Sequence, residues 1–286
     1  MSNDNLRSSL LSVRGLNSPI IEAGPADADE ALVFVHGNPG SSRDWAGLVA
    51  GAGEFGRALA FDMPGFGRAD KPDGFDYTVA GYADHLAAAL EQLGLRRVHL
   101  VLHDFGGPWG LAWAAAHPQQ LASVTLVNTG VFPGYSWHYL AQIWRTPLLG
   151  ELFQALATRG AFHLLLKHGN PRGLPRAFVD RMYDDYDAGT RRAVLRLYRA
   201  TGDIDGLSQR VIAALAPLRI PALVVWGAHD PYIPLRYAER QREAFPDARV
   251  EVLADSGHWP MADNPQGLQA HLLPFLRAQI AGGKTL

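Results

Sequence analysis

The chain has 286 residues, 48% of them hydrophobic and 19% charged, which is ample material for a large core and too little charge for a disordered chain. Its 26 Lys and Arg against 28 Asp and Glu give no positive field that would gather nucleic acid or anionic lipid. The expected partner is a small, mostly apolar, neutral substrate plus water. The absence of cysteine excludes disulfides, thiolate metal sites, iron–sulfur clusters and a thiol nucleophile.

The opening Met1-Ser-Asn-Asp-Asn-Leu-Arg7 lacks the basic end and apolar stretch of a secretory leader. No apolar run reaches the roughly 18 residues of a membrane helix. A soluble, cytoplasmic enzyme, monomeric or homodimeric, is expected.

Taken in chain order, strands are expected at Ala31–Val35, Ala58–Phe61, Val98–Leu102, Val124–Val127, Ala222–Val225 and Val250–Leu253. Most are near-continuously apolar, as strands covered on both faces are. Helical patterns at Tyr82–Leu93, Pro108–Ala116 and Arg236–Phe245 alternate with them, so βαβ crossovers and a buried parallel sheet of α/β class follow.

Between Val131 and Ala214 the alternation stops. Helical stretches at His138–Trp144, Glu151–Thr158, Pro175–Tyr183 and Arg191–Tyr198 occur there with no convincing strand. The expected division is a core of residues 1–130 and 215–286 and a helical cap of residues 131–214. Leaving the sheet at its carboxyl edge would set the cap over the edge where ligands of open parallel sheets bind. The tail, residues 281–286, is expected to fray.

Strand Val98–Leu102 runs into His103-Asp-Phe-Gly-Gly107 and then a helix, the strand, sharp turn and helix of a nucleophile elbow. Such a turn strains its central residue and needs small residues after it, here Gly106 and Gly107. The central residue is Asp104, which taken alone also reads as a helix N-cap. Asp230 follows the strand ending at Val225, and His258 follows the strand ending at Leu253. Singly, these suit a turn before Pro231 and a surface loop. Together they give the chain order nucleophile, acid, histidine. In His36-Gly-Asn-Pro-Gly40, otherwise a plain Gly/Pro turn, the amide of Asn38 is placed to join that of Phe105 around an oxyanion.

These residues, with Asp62-Met-Pro-Gly-Phe-Gly67, His229-Asp230 and Gly257-His258, resemble the α/β-hydrolases with an aspartate nucleophile, the epoxide hydrolases and haloalkane dehalogenases. The resemblance implies an α/β-hydrolase fold: a mostly parallel central sheet flanked by helices, with a helical cap inserted after the sixth strand. A carboxylate attacking an ester gives a reactive anhydride, whereas attack on a saturated carbon gives a hydrolysable ester, so Asp104 points to an sp³ electrophile. The implied route is an alkyl ester on Asp104, hydrolysed by water that His258 deprotonates while Asp230 orients the imidazole. No cofactor or metal is required.

An epoxide leaves as an alkoxide that wants a proton, which the family supplies from cap tyrosines. Tyr198, in Leu197-Tyr-Arg-Ala200, matches that stretch and shares an apolar helix face with Val194 and Leu197; a packed core tyrosine is the alternative. Tyr135 and Tyr139 are weaker candidates for a second donor. For a halide, Asn38 matches the family's binding amide, but Phe105 stands where dehalogenases carry an indole donor. Trp137 or Trp144 would have to compensate. Asn128 stands where one dehalogenase branch places its acid, leaving Asp230 as the well-placed one. His36 and His103 read as loop-fixing groups, Asp255 as a turn residue, Arg191-Arg192 as a solvated face, and His163 and His168 lack metal-ligand spacing. Epoxide hydrolase is the leading expectation and haloalkane dehalogenase the alternative, with a receptor, luciferase or lyase on the same scaffold as the reading from another class.

Overall fold

The computed structural model describes residues 5–168 and 170–282. Residues 1–4 and 283–286, where the leader reading begins and most of the expected frayed tail lies, fall outside them; Ala281 and Gly282 close the last helix. Among the described residues eight strands form one sheet: β1 (Arg7–Val13), β2 (Leu16–Ala23), β3 (Glu30–Val35), β4 (Arg57–Phe61), β5 (Arg97–His103), β6 (Leu121–Val127), β7 (Ala222–Gly227) and β8 (Arg249–Leu253), in the order β1-β2-β4-β3-β5-β6-β7-β8. β3 to β8 pair in parallel, while β1 and β2 join antiparallel.

The central strands are buried along almost their whole length, which is why their sequences run apolar without alternation. One face is covered by helices Val79–Gln92, Gly106–Ala116 and Ile204–Leu215, the other by Ala46–Ala52 and Pro265–Gly282. The β1–β2 hairpin was not among the expected strands. β1 is an edge strand whose first four residues are exposed, and β2 contains Pro19, so neither carries a clear apolar pattern.

Among the described residues six helices connect β6 to β7: Tyr139–Arg145, Leu149–Ala155, Arg159–Lys167, Arg176–Asp184, Ala188–Ala200 and Ile204–Leu215. Thr158, Asp187 and Asp203 cap three of them with side-chain oxygens, supplying acceptors for otherwise unpaired N–H groups. The last packs on the sheet flank beside Gly106–Ala116. Among the described residues no helix is long and apolar enough to cross a membrane.

Candidate active site

At the end of β5 the chain turns sharply into helix Gly106–Ala116, with Asp104 at φ +48°, a left-handed conformation that costs free energy for a residue with a Cβ. Glycine permits the close approach around it. A Cβ on Gly106 would lie 2.5 Å from the Val35 carbonyl oxygen, and one on Gly37 would lie 2.3 Å from Asp104 Cβ. Thr129 Oγ1 and the Gly107 N–H both donate to the Asp104 carbonyl, at 2.5 and 2.9 Å, which fixes the turn. The N-cap alternative for Asp104 fails: Phe105 is the cap residue, and Asp104 Oδ1 accepts from the Asn38 N–H at 2.7 Å.

His258 Nε2 lies 3.5 Å from Asp104 Oδ2, and its Nδ1 lies 2.7 Å from Asp230 Oδ2. Asp230 is fixed in turn: Oδ1 accepts from the Tyr232 and Ile233 N–H groups at 2.8 and 2.9 Å, and Oδ2 accepts from Asn128 Nδ2 at 2.7 Å. His103 Nε2 lies 2.7 Å from the His258 carbonyl oxygen, and His36 Nε2 accepts from the Met63 N–H, so both flanking histidines brace loops. Asp255 points outward to Arg172.

Burial alone would push the Asp104 carboxyl up, but His258, His103 and the Asn38 N–H together outweigh it and hold it down at about 2. Burial opposes charge on His258, yet the carboxylates of Asp230 and Asp104 win and raise its proton affinity well above the ordinary histidine value. The two carboxylates therefore favour the imidazolium form of His258.

Asp104 and His258 open into a cavity of about 830 Å³, also walled by Asn38, Tyr198, Tyr232 and Trp259. The Asn38 carboxamide is buried there with no well-formed hydrogen bond on its nitrogen or oxygen, close enough to Tyr198 to interact with its hydroxyl. Tyr198 is fully buried, packs edge-on against Phe105 with centroids 5.0 Å apart, and places its hydroxyl 3.4 Å from His138 Nε2. Burial, reinforced by the Asp104 charge, keeps that hydroxyl protonated.

His138 also lines the cavity and had no assigned role in the sequence reading. Its Nδ1 accepts the Ala141 N–H at 3.2 Å as the cap of helix Tyr139–Arg145, and burial lowers its proton affinity to about 4. With Nδ1 engaged as an acceptor, the neutral ring carries its proton on Nε2. The available signal was a polar residue directly before a helix, which reports the cap and says nothing of Tyr198.

The weaker cap candidates need correction. Tyr139 is 45% exposed and outside the cavity wall, because it opens its helix on the solvent side. Tyr135 donates its hydroxyl to the Tyr232 carbonyl at 3.1 Å, and with Trp137 it lines a small adjoining pocket rather than the main one. Trp137 stacks on Phe105, whereas Trp144 lines the main cavity with its indole N–H unpartnered. Arg191 is not a solvated residue: it donates to the carbonyls of Tyr186, Gln154 and Ala157. Arg192 is exposed. Among the described residues no His, Cys, Asp or Glu cluster is arranged to hold a metal.

A family model of the alpha/beta hydrolase fold matches residues 30–265. A cis-3-alkyl-4-alkyloxetan-2-one decarboxylase of Shewanella oneidensis is 30% identical over 86% of this chain and 82% of its own length. A haloalkane dehalogenase of Mesorhizobium japonicum is 27% identical over 93% and 89%. Among solved structures, a haloalkane dehalogenase loop variant from Bradyrhizobium elkanii superposes with a TM-score of 0.84 at 22% identity, covering 98% of this chain and all of that one. An epoxide hydrolase from Vigna radiata superposes with a TM-score of 0.79 at 18% identity, covering 97% of this chain and 100% of that one. The chain belongs to the alpha/beta hydrolase family.

Proposed function

We propose that this protein is an epoxide-opening hydrolase in which Asp104 forms a covalent alkyl ester with an sp³ carbon of its substrate, beneath a cap of residues 131–214. The observation that carries this reading is the pairing, in one cavity wall, of a carboxylate at the elbow with the buried hydroxyl of Tyr198.

In the first step an Asp104 oxygen attacks a ring carbon, the C–O bond breaks, and the leaving oxygen takes the Tyr198 proton. With His138 Nδ1 taken by the Ala141 N–H, its Nε2 would act as the donor in the 3.4 Å contact with the Tyr198 oxygen, leaving the tyrosine's own proton for that transfer. Esterification removes the Asp104 charge, so His258 loses one of the two carboxylates that keep it protonated and becomes a base. The proton it sheds restores Tyr198 through solvent.

In the second step His258 Nε2 deprotonates a water that attacks the ester carbonyl carbon. The tetrahedral oxyanion is held by the amides of Asn38 and Phe105; its collapse breaks the bond to the substrate oxygen, which takes the proton of the newly added hydroxyl, so that the diol leaves, Asp104 is again a carboxylate and His258 again an imidazolium. The Asn38 N–H already donates to the oxygen on which that charge would develop.

Haloalkane dehalogenation is the second reading, favoured by two buried donors in the cavity wall that make no well-formed hydrogen bond, Asn38 Nδ2 and Trp144 Nε1. Phe105 cannot bind a halide through an N–H on its ring, which ranks this reading lower. The oxetanone of the Shewanella relative's name is also a strained ring with an oxygen on saturated carbon, in keeping with an oxygen leaving group. A parallel assay of terminal epoxides, bromoalkanes and an alkyl-substituted oxetanone separates these cases. Diol formation is expected; halide or carbon dioxide release without it overturns the epoxide reading.

A further inference from the structure

The cavity wall contains a second buried carboxamide without a well-formed hydrogen bond. Gln154 is 4% exposed, neither end of its amide makes a well-formed hydrogen bond although the Tyr186 hydroxyl stands close enough to interact with it, and it lies on helix Leu149–Ala155 in the helical segment, on a cavity wall shared with Trp144, Phe153, Phe162 and Leu165. A buried donor and acceptor without well-formed bonds carry a standing energetic penalty that an apolar residue of similar size would avoid. Gln154 is also held in place. Arg191 donates to its carbonyl at 2.6 Å and to that of Ala157 at 2.9 Å, pinning the end of this short helix.

The far end of the cavity opens outward. Leu156 and Leu164 line it and are nonetheless 64% and 74% exposed, so a chain anchored at Asp104 can reach solvent within the cavity that Gln154 also lines, along a largely apolar wall that carries Lys167 and His168 as well. We propose that Gln154 is a second recognition point, and that the substrate is an elongated apolar molecule carrying an uncharged hydroxyl or carbonyl group along the chain between its reacting carbon and this mouth. A carboxamide both donates and accepts, which suits either group. A charged group is not what Gln154 itself recognises, because a neutral amide leaves a charge unmatched.

The inference rests on the reading of Asp104 as the end where the substrate reacts, and its test needs no turnover. Calorimetry on the intact protein compares vicinal alkanediols of one chain length, with and without a further hydroxyl stepped along the chain. The wild type is expected to bind one hydroxylated isomer about tenfold or more tightly than the plain diol, and Gln154→Leu to lose that preference while binding the plain diol at least as well. Because the Gln154 amide makes no well-formed hydrogen bond and only a weak contact with the Tyr186 hydroxyl, the variant's Tm should stay level or rise. A preference unchanged by the substitution, no preference in the wild type, or a fall in Tm that accompanies the lost preference would each overturn the proposal. If epoxides are not opened but the binding preference behaves as described, the proposed reaction fails and this recognition point stands.

Discussion

Asn128 Nδ2 and His258 Nδ1 converge on the same oxygen of Asp230, each at 2.7 Å. Asn128 sits at φ +48° at the end of β6, and its own Oδ1 accepts the Gly227 N–H at 3.0 Å. It ties two strand ends together while orienting the carboxylate that faces the imidazole. Asn128→Asp keeps the shape and the tolerance of positive φ but replaces a donor with a second negative charge. Turnover should fall about a hundredfold or more, since a misoriented acid disables the histidine it supports. Steady-state kinetics of a folded variant check this; unchanged turnover would remove Asn128 from the site.

Tyr198→Phe should slow epoxide opening by about 10²- to 10⁴-fold, the usual worth of a positioned general acid, and should affect halide displacement much less. Parallel kinetics on an epoxide and a bromoalkane decide it, equal losses counting against proton donation.

His138→Asn retains a good helix cap but is too short to reach Tyr198. Epoxide opening is expected to drop about tenfold, the scale of one neutral hydrogen bond, with the Tm nearly unchanged. In the Tyr198→Phe background the same substitution should add nothing, and a double-mutant cycle measures this.

Stability should peak near neutral pH. Burial is the chief cause holding His85, His103 and His138 at about 4 in the folded protein, against 6.5 ordinarily. The unfolded chain therefore binds more protons as pH falls from 6.5 toward 4, and stability declines with it. His258 acts in the opposite direction. Its folded value is raised to about 10, so its contribution is complete below 6.5 and is lost as pH rises toward 10. Denaturant unfolding across this range should trace a maximum, and His258→Gln should flatten the alkaline side. A wild-type profile rising steadily to pH 10 would contradict the clamped imidazolium.

The sheet and its principal groups were readable because their signals are local. Asp104, Asp230 and His258 each follow an apolar strand by a few residues, and the fold then gathers strand ends at one edge. Residues of the helical segment are different. Tyr139 and Tyr198 are both tyrosines in amphipathic helices, yet helical phase and neighbouring helices send one to solvent and the other to the cavity. Arg191 read as solvated because its acceptors at Gln154 and Ala157 lie in and just past an earlier helix. The buried amide of Gln154 and the contact between His138 and Tyr198 exist only once those helices pack.

The central claim, that the protein itself is esterified, is tested most directly by a single turnover in water enriched in oxygen-18 with enzyme in excess. The first diol released should carry no heavy oxygen, and mass spectrometry should find the label in the peptide containing Asp104. Heavy oxygen in that first diol, with Asp104 unlabelled, would mean that water attacked the substrate directly and that Asp104 is not the nucleophile.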